Sequence, residues 1–264
     1  MARHGLKFNI LNFKNKIPNL PCIILTTSQE VSRIAKFSEE LVKIISKEQE
    51  EPLKKYILRV LAAYKVGFKE DYSILVFCID PGTKHIGLVV FLEDRYLNSH
   101  TFHNIESLIG EIGNYIDYLQ GIHSTLKLEF KFGIGVLSTT LEIVSNIYTY
   151  FKDDKHIRIF LVDESKTSKL NVYHEKQRIP KHEVSALILA LREGIEINKK
   201  NYVSVFKNIK DKKIKLKTYN SNYLNHDNDY STFLRELLIK IVSGELTLAN
   251  SSDKLHEWRL SNID

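Results

Sequence analysis

Three places in the 264-residue chain put acidic or imidazole side chains where a folded backbone would hold them still. Asp80 ends an apolar run, Ile74 to Ile79, and is followed by Pro81 and Gly82, with Gly87 shortly after. A carboxylate at a strand terminus is held by rigid backbone, and the tight turn behind it lets a phosphate or a metal ion approach. The alternative is a turn aspartate that bonds its own backbone, as Asp-Pro-Gly often does. Asp163 and Glu164 follow a second apolar run, Ile157 to Val162, as ligands or as the cap of a turn at a sheet edge. His182 and Glu183 open a helical pattern after Pro180 and Lys181. There, His182 is a ligand or a surface residue, and Glu183 is a ligand or a partner of the helix dipole.

The elements that must position these residues are legible in the periodicity. Ile74 to Ile79 is apolar at every position, the pattern of a central strand covered on both faces. A turn over 80–85 leads to a second apolar strand, Ile86 to Leu92, and Glu93-Asp94-Arg95 turns the chain into a third, Tyr96 to Phe102, which predicts an antiparallel meander. Ile105, Leu108, Ile109, Ile112, Ile116 and Leu119 predict a helix over 104–120. Residues 126–132 alternate and run into Gly133-Ile134-Gly135-Val136 as a strand, after which Ser138 or Thr139 caps a helix to about Tyr150. The strand Ile157 to Val162 and a helix over about 180–193 complete the pattern. The fold class is therefore α/β, a five-stranded mixed sheet with helices on both faces. In this reading the strand ending at Glu164 lies beside the one ending at Asp80.

Residues 1–70 read as a small α+β module with strands over 6–12 and 20–26. A helix capped by Ser28 would carry Val31, Ile34, Phe37, Leu41 and Ile45 on one face, and a second, ending near Gly67, would carry Tyr56, Ile57, Val60, Leu61 and Tyr64. Residues 198–264 read as a basic linker and helical tail. The linker holds Lys207, Lys210, Lys212, Lys213, Lys215 and Lys217 with Tyr202, Phe206 and Tyr219 interleaved. A polar loop over 220–230 and a helix marked by Phe233, Leu237, Leu238 and Ile241 follow.

Composition narrows the classes. With 43% hydrophobic and 27% charged residues, 11 Gly and 5 Pro, the chain is neither disordered nor fibrous. Its longest apolar runs are far short of a bilayer span, and no secretory leader is visible, so a cytoplasmic protein with no membrane association is expected. Cys22 and Cys78 sit in apolar runs as buried thiols, which leaves no disulfide scaffold or structural zinc site. The net charge of +6 divides into +6 over 1–70, −4 over 71–197 and +4 over 198–264. Basic flanks around an acidic centre suit an enzyme that holds a polyanion against a cation.

The segment Cys78-Ile79-Asp80-Pro81-Gly82-Thr83-Lys84-His85-Ile86-Gly87-Leu88-Val89 resembles the first signature of the RuvC/YqgF-type resolvases of the ribonuclease H-like superfamily. Leu161-Val162-Asp163-Glu164-Ser165-Lys166-Thr167-Ser168 is similar to their Asp-Glu-Arg-x-Thr-Thr motif. Lys181-His182-Glu183-Val184-Ser185-Ala186-Leu187-Ile188-Leu189-Ala190 is similar to their final helix, so the likeness covers about residues 72–195, within a domain expected over 71–197. It implies a ribonuclease H-like domain, a Holliday-junction resolvase type of activity, and hydrolysis of phosphodiester bonds by two metal ions. Mg²⁺ or Mn²⁺ suits such oxygen ligands.

Carried over, Asp80 bridges the metals, Glu164 with its neighbour Asp163 supplies the second carboxylate, and His182 or Glu183 completes the site. Lys84 and the lysines of the tail would contact nucleic acid, branched DNA or structured RNA. The likeness also implies a homodimer. Three departures stand out: Ser185 where the helix usually has an aspartate, Gly135 where RuvC offers a glutamate, and Ser165 in place of the arginine. They support an alternative, a catalytically inactive ribonuclease H-like module that binds nucleic acid or docks a protein. A third class, an enzyme on small phosphorylated metabolites, lacks a glycine-rich phosphate loop.

Overall fold

The computed structural model describes residues 8–10, 21–34, 42–67, 69, 71–120, 126–151, 156–165, 170–214, 216 and 227–261. The chain divides into two compact units, Met1–Glu70 and Asp71–Asp264.

In the first unit, β1 (Cys22–Thr27) is followed by a single helical turn, α1 (Val31–Ile34), then by β2 (Val42–Lys47) and α2 (Leu53–Val66). The two strands are parallel, with Cys22 opposite Val42 and Thr27 opposite Lys47. The sequence placed Ile45 on a helix that began at Ser28; it lies instead in β2, beside β1. Val42, Ile44 and Ile45 are β-branched, which favours a strand once a partner edge is present. Ile45 is buried with Tyr56, Val60 and Ala63 of α2, and the Tyr56 hydroxyl donates to the Ile45 carbonyl at 3.1 Å. Gly67 closes α2 in the left-handed region at φ 99°. Of the strand expected over 6–12, residues 8–10 form no strand and expose Phe8 and Ile10; its remainder lies outside the described residues.

The second unit runs β3 (Ile74–Pro81), β4 (Ile86–Leu92), β5 (Arg95–Phe102), α3 (Ile105–Leu119), β6 (Lys127–Gly133), α4 (Leu137–Tyr150), β7 (Ile157–Val162), the short hairpin β8 (Tyr173–His174) and β9 (Gln177–Arg178), α5 (Lys181–Ala190) and β10 (Ile195–Ile197). Three further helices follow: α6 (Tyr202–Lys210), α7 (Asp227–Ser243) and α8 (Leu248–Ser261). The sheet has six strands rather than five, in the order β10-β7-β6-β3-β4-β5. Strands β3, β4 and β5 form the antiparallel meander; β6 and β7 are parallel to β3, and β10 adds an antiparallel edge. One expectation is corrected here: β7 does not lie beside β3. With β4 on one edge of β3, the helix α3 returns the chain to the other edge as β6, and β7 can add only outside it.

Alternate residues of β3 face opposite layers. Val76 and Cys78 pack with Val184, Leu187 and Ile188 of α5. On the other face Phe77 stacks on Phe130 at 5.0 Å and meets Tyr115 of α3 edge-on at 6.2 Å. The α3 cap is Asn104, whose side chain accepts from the Ser107 amide at 2.8 Å. No side chain caps α4. Neither Ser138 nor Thr139 takes that role, and Thr140 donates to the Gly133 carbonyl at 2.9 Å, tying the helix start to the end of β6.

Residues 198–264 are part of this unit. Leu234, Leu237, Leu238, Ile241 and Val242 of α7 and Leu255 of α8 share the core cluster of α5. Arg95 donates to the Gly244 carbonyl at 3.0 Å, and the Leu248 amide to the Asp94 carbonyl at 2.7 Å. Among the described residues no helix is long and apolar enough to cross a membrane. Because Leu238 is fully buried, Leu238→Ala should cost about 2–5 kcal/mol in urea unfolding. A loss within about 0.5 kcal/mol, the range of surface substitutions, would mean that α7 is not part of the core.

Candidate active site

Asp80 lies one residue from the end of β3, on the face it shares with Val76 and Cys78, so its side chain points at α5. It is buried, 7% exposed. His182, in the first turn of α5, holds it through Nδ1 at 3.0 Å from Oδ2, a hydrogen bond that becomes an ion pair when the imidazole is protonated. Ser185, one helical turn further on the same face, stands near the same carboxyl and draws its pKa down. This close seating of α5 needs Gly87, the residue opposite Asp80 on β4, because a Cβ there would run into the His182 carbonyl.

Glu164 reaches Asp80 from further away. Strand β6 separates β7 from β3, so the Glu164 side chain must pass over the end of β6. Gly133 and Gly135 make this possible: a Cβ at either would overlap the Glu164 carboxyl. The Gly135 amide instead lies close to that carboxyl and draws its pKa down. Glu164 Oε2 is buried with no donor. The backbone around Glu164 is clamped by Arg192, itself buried, whose guanidinium donates to the Asp163 carbonyl at 2.6 Å and the Ser165 carbonyl at 3.0 Å.

Burial raises both carboxyls above the ordinary range. For Glu164 the neighbouring Asp80 charge raises it further. Two carboxyls within hydrogen-bonding reach cannot both ionise cheaply, so the pair holds one proton unless a cation replaces it.

The other sequence candidates go elsewhere. The Glu183 carboxylate faces β5, accepting from Ser99 at 2.5 Å and Thr101 at 2.8 Å, with the Tyr96 hydroxyl donating to Ser99 at 2.9 Å. Neighbouring residues on a helix point about 100° apart, so seating His182 on Asp80 turns Glu183 away. The Asp163 carboxylate accepts from the Ser165 hydroxyl at 2.6 Å and amide at 3.1 Å, which makes it the cap of its own turn. Lys84 is exposed in the turn that follows Asp80.

Lys207 and Lys210 lie at the end of α6, with Lys212 and Lys213 beyond it, and Lys213 pairs with Asp211 at 3.7 Å. Lys215 and Lys217 fall outside the described residues, as does Tyr219. Of the aromatics interleaved with these lysines, Phe206 is 3% exposed, too buried to stack on a base, while Tyr202 is half-buried and packs on Tyr148 at 5.2 Å between ring centres. A groove of about 360 Å³ between α4 and α6, lined by Leu141, Glu142, Tyr202 and Val203 among others, contains none of the site residues.

Sequence reading missed Ser185 and Gly135 as working parts of the site, since both stood out only as departures. Their signals were the Gly-x-Gly at a strand end, which marks close approach, and the spacing of three between His182 and Ser185. Arg192 carried no signal. No protein-family model matches the chain, and neither does any curated protein.

The raised carboxyls have a consequence for stability. The metal-free fold binds the shared proton more tightly than the unfolded chain does, so the stabilisation is full below the ordinary carboxyl range. It is lost as pH rises through the folded values, about 6 for Asp80 and about 7 for Glu164. In chelator, Asp80→Asn should therefore gain about 1–3 kcal/mol at about pH 8 and flatten the pH dependence of unfolding between about pH 4 and 8. An unchanged slope would show that the two carboxyls do not meet. Gly135→Ala should expel Glu164 from its seat, flattening the same slope while costing about 1–3 kcal/mol; wild-type behaviour would rule out the glycine cradle.

Proposed function

We propose that the protein is a divalent-metal-dependent endonuclease of the ribonuclease H-like kind, akin to the RuvC/YqgF-type resolvases. It would hydrolyse phosphodiester bonds in branched DNA or structured RNA, as a cytoplasmic homodimer. The observation that carries this reading is the Asp80–Glu164 pair, two carboxyls from separate strands brought together by glycines. The meander, the two parallel strands and α5 follow the element order of the resemblance, which adds support.

A hard cation fits these residues. Glu164 Oε2 is a buried oxygen with no donor, and the pair holds a proton that a cation would displace. Among the described residues no group of three or more His, Cys, Asp or Glu stands ready around one ion, so water and substrate oxygens would fill the remaining positions. Asp80 and Glu164 would hold the metal. When bound, Mg²⁺ or Mn²⁺ supplies Lewis-acid stabilisation of phosphoryl oxygens and a more acidic water.

The chain's own residues do the rest. His182 and Ser185 fix the Asp80 carboxyl, and the Gly135 amide and the Arg192 clamp fix Glu164, so little reorganisation remains when substrate arrives. Lys84, exposed in the turn after Asp80, and the lysines at the end of α6 offer cations to phosphates. A second reading, a platform that binds without cutting, is favoured by the diversion of Glu183 and Asp163 and by Ser185 in the aspartate's place.

The two readings separate on labelled four-way junction, duplex, single strand and RNA hairpin, each with Mg²⁺, Mn²⁺ or chelator. Metal-dependent cutting is expected, reduced about 100-fold or more in Asp80→Asn and in Glu164→Gln with binding retained. Binding without a cut on any substrate would eliminate the nuclease in favour of the platform.

A further inference from the structure

Two imidazoles beside the site have no part in the proposed hydrolysis. His85 ends the turn after Asp80, and His103 follows β5 directly. Because Ile86 pairs with Phe102, the two histidines occupy the next rung, at the open end of the β4–β5 ladder. Their Nδ1 atoms face each other at 3.1 Å, with ring centres 4.8 Å apart and planes at 68°. Among the described residues neither ring has another hydrogen-bond partner.

Facing nitrogens of this kind share one hydrogen bond when both rings are neutral, one donating and the other accepting, and repel when both rings are charged. They suit a metal ion well. With metal–nitrogen bonds of about 2.0–2.1 Å, a 3.1 Å separation subtends an angle of about 100° at the ion, between octahedral and tetrahedral values. We propose that His85 and His103 chelate a divalent transition metal of borderline softness, Zn²⁺, Ni²⁺ or Cu²⁺, through their Nδ1 atoms. Imidazole selects these ions over Mg²⁺, which distinguishes this site from the all-oxygen Asp80–Glu164 pair.

His182 is adjacent, its ring centre 5.5 Å from that of His85, but its Nδ1 is committed to Asp80. With two protein ligands, the remaining positions of the ion stay open to water or to an anionic ligand. The ion would also tie the start of β4 to the end of β5, fixing the turn that carries Lys84. Metal binding by this histidine pair does not require that any substrate be cut.

The test uses the untagged full chain with excess Mg²⁺, so that the carboxylates are occupied. Zn²⁺ is titrated by calorimetry, and Cu²⁺ by electron paramagnetic resonance for nitrogen hyperfine structure. One ion with two-nitrogen coordination is expected, bound at least about tenfold more weakly by His85→Gln and by His103→Gln, and as in wild type by His182→Gln. Independently of any variant, Zn²⁺ should protect His85 and His103 from diethyl pyrocarbonate, read by peptide mass. The proposal is overturned if the wild type binds no Zn²⁺, if both pair variants bind as it does, or if only His182→Gln loses the ion.

Discussion

Two acidic side chains, buried against each other where water cannot screen them, set the terms for the rest of the second unit. Bringing Asp80 and Glu164 together costs free energy in the absence of a cation, since burial penalises both charges and each repels the other. The surrounding structure offsets that cost with donors. His182 and Ser185 approach Asp80, the Gly135 amide approaches Glu164, and Arg192 holds the backbone on both sides of Glu164. An arrangement that stores repulsion between two oxygens and leaves a third oxygen without a donor is one that a divalent cation would relieve.

The constraint also explains where the glycines are. Strand β6 stands between the two carboxylates, and a side chain at its end would block the path of Glu164. Gly133 and Gly135 open that path, while Gly87 lets α5 sit close enough on β4 for His182 to reach Asp80. Helix α5 thereby buries Val184, Leu187 and Ile188 against the sheet and presents His182 and Ser185 to the site. Lys131 fastens its far end, donating to the Ala190 and Arg192 carbonyls at 2.8 and 3.2 Å. The site is therefore built on packed elements, where positions are better kept than on loops.

Much of this was legible before any coordinates. The three strands after Ser73, the helix over 105–119 and the strands ending near Gly133 and Val162 all follow from uninterrupted local patterns, because period two and period 3.6 are set by the chain itself. Ile45 was misread for the opposite reason. Its spacing from Ile34 and Leu41 imitates a helix, and only the parallel edge of β1 makes a strand the better solution. The lysine-rich stretch over 199–217 reads as a basic linker because charge dominates its composition, yet Phe206 within it is buried. A few well-spaced apolar residues outweigh many exposed lysines once a core is there to receive them.

By itself the sequence determined which residues could do chemistry and that Asp80, Glu164 and His182 sit at ends of regular elements. It also determined the sheet's strand types and the amphipathic faces, since these depend on neighbours along the chain. Tertiary structure decided the rest. It placed β6 between the two carboxylates, diverted Glu183 to Ser99 and Thr101, and turned Ser185 and Gly135 from apparent losses into the donor and the space that the pair requires. It also brought His85 and His103 face to face across a ladder end. Such contacts depend on which strand lies beside which and on how far a side chain can reach over its neighbour, and neither is encoded in local spacing.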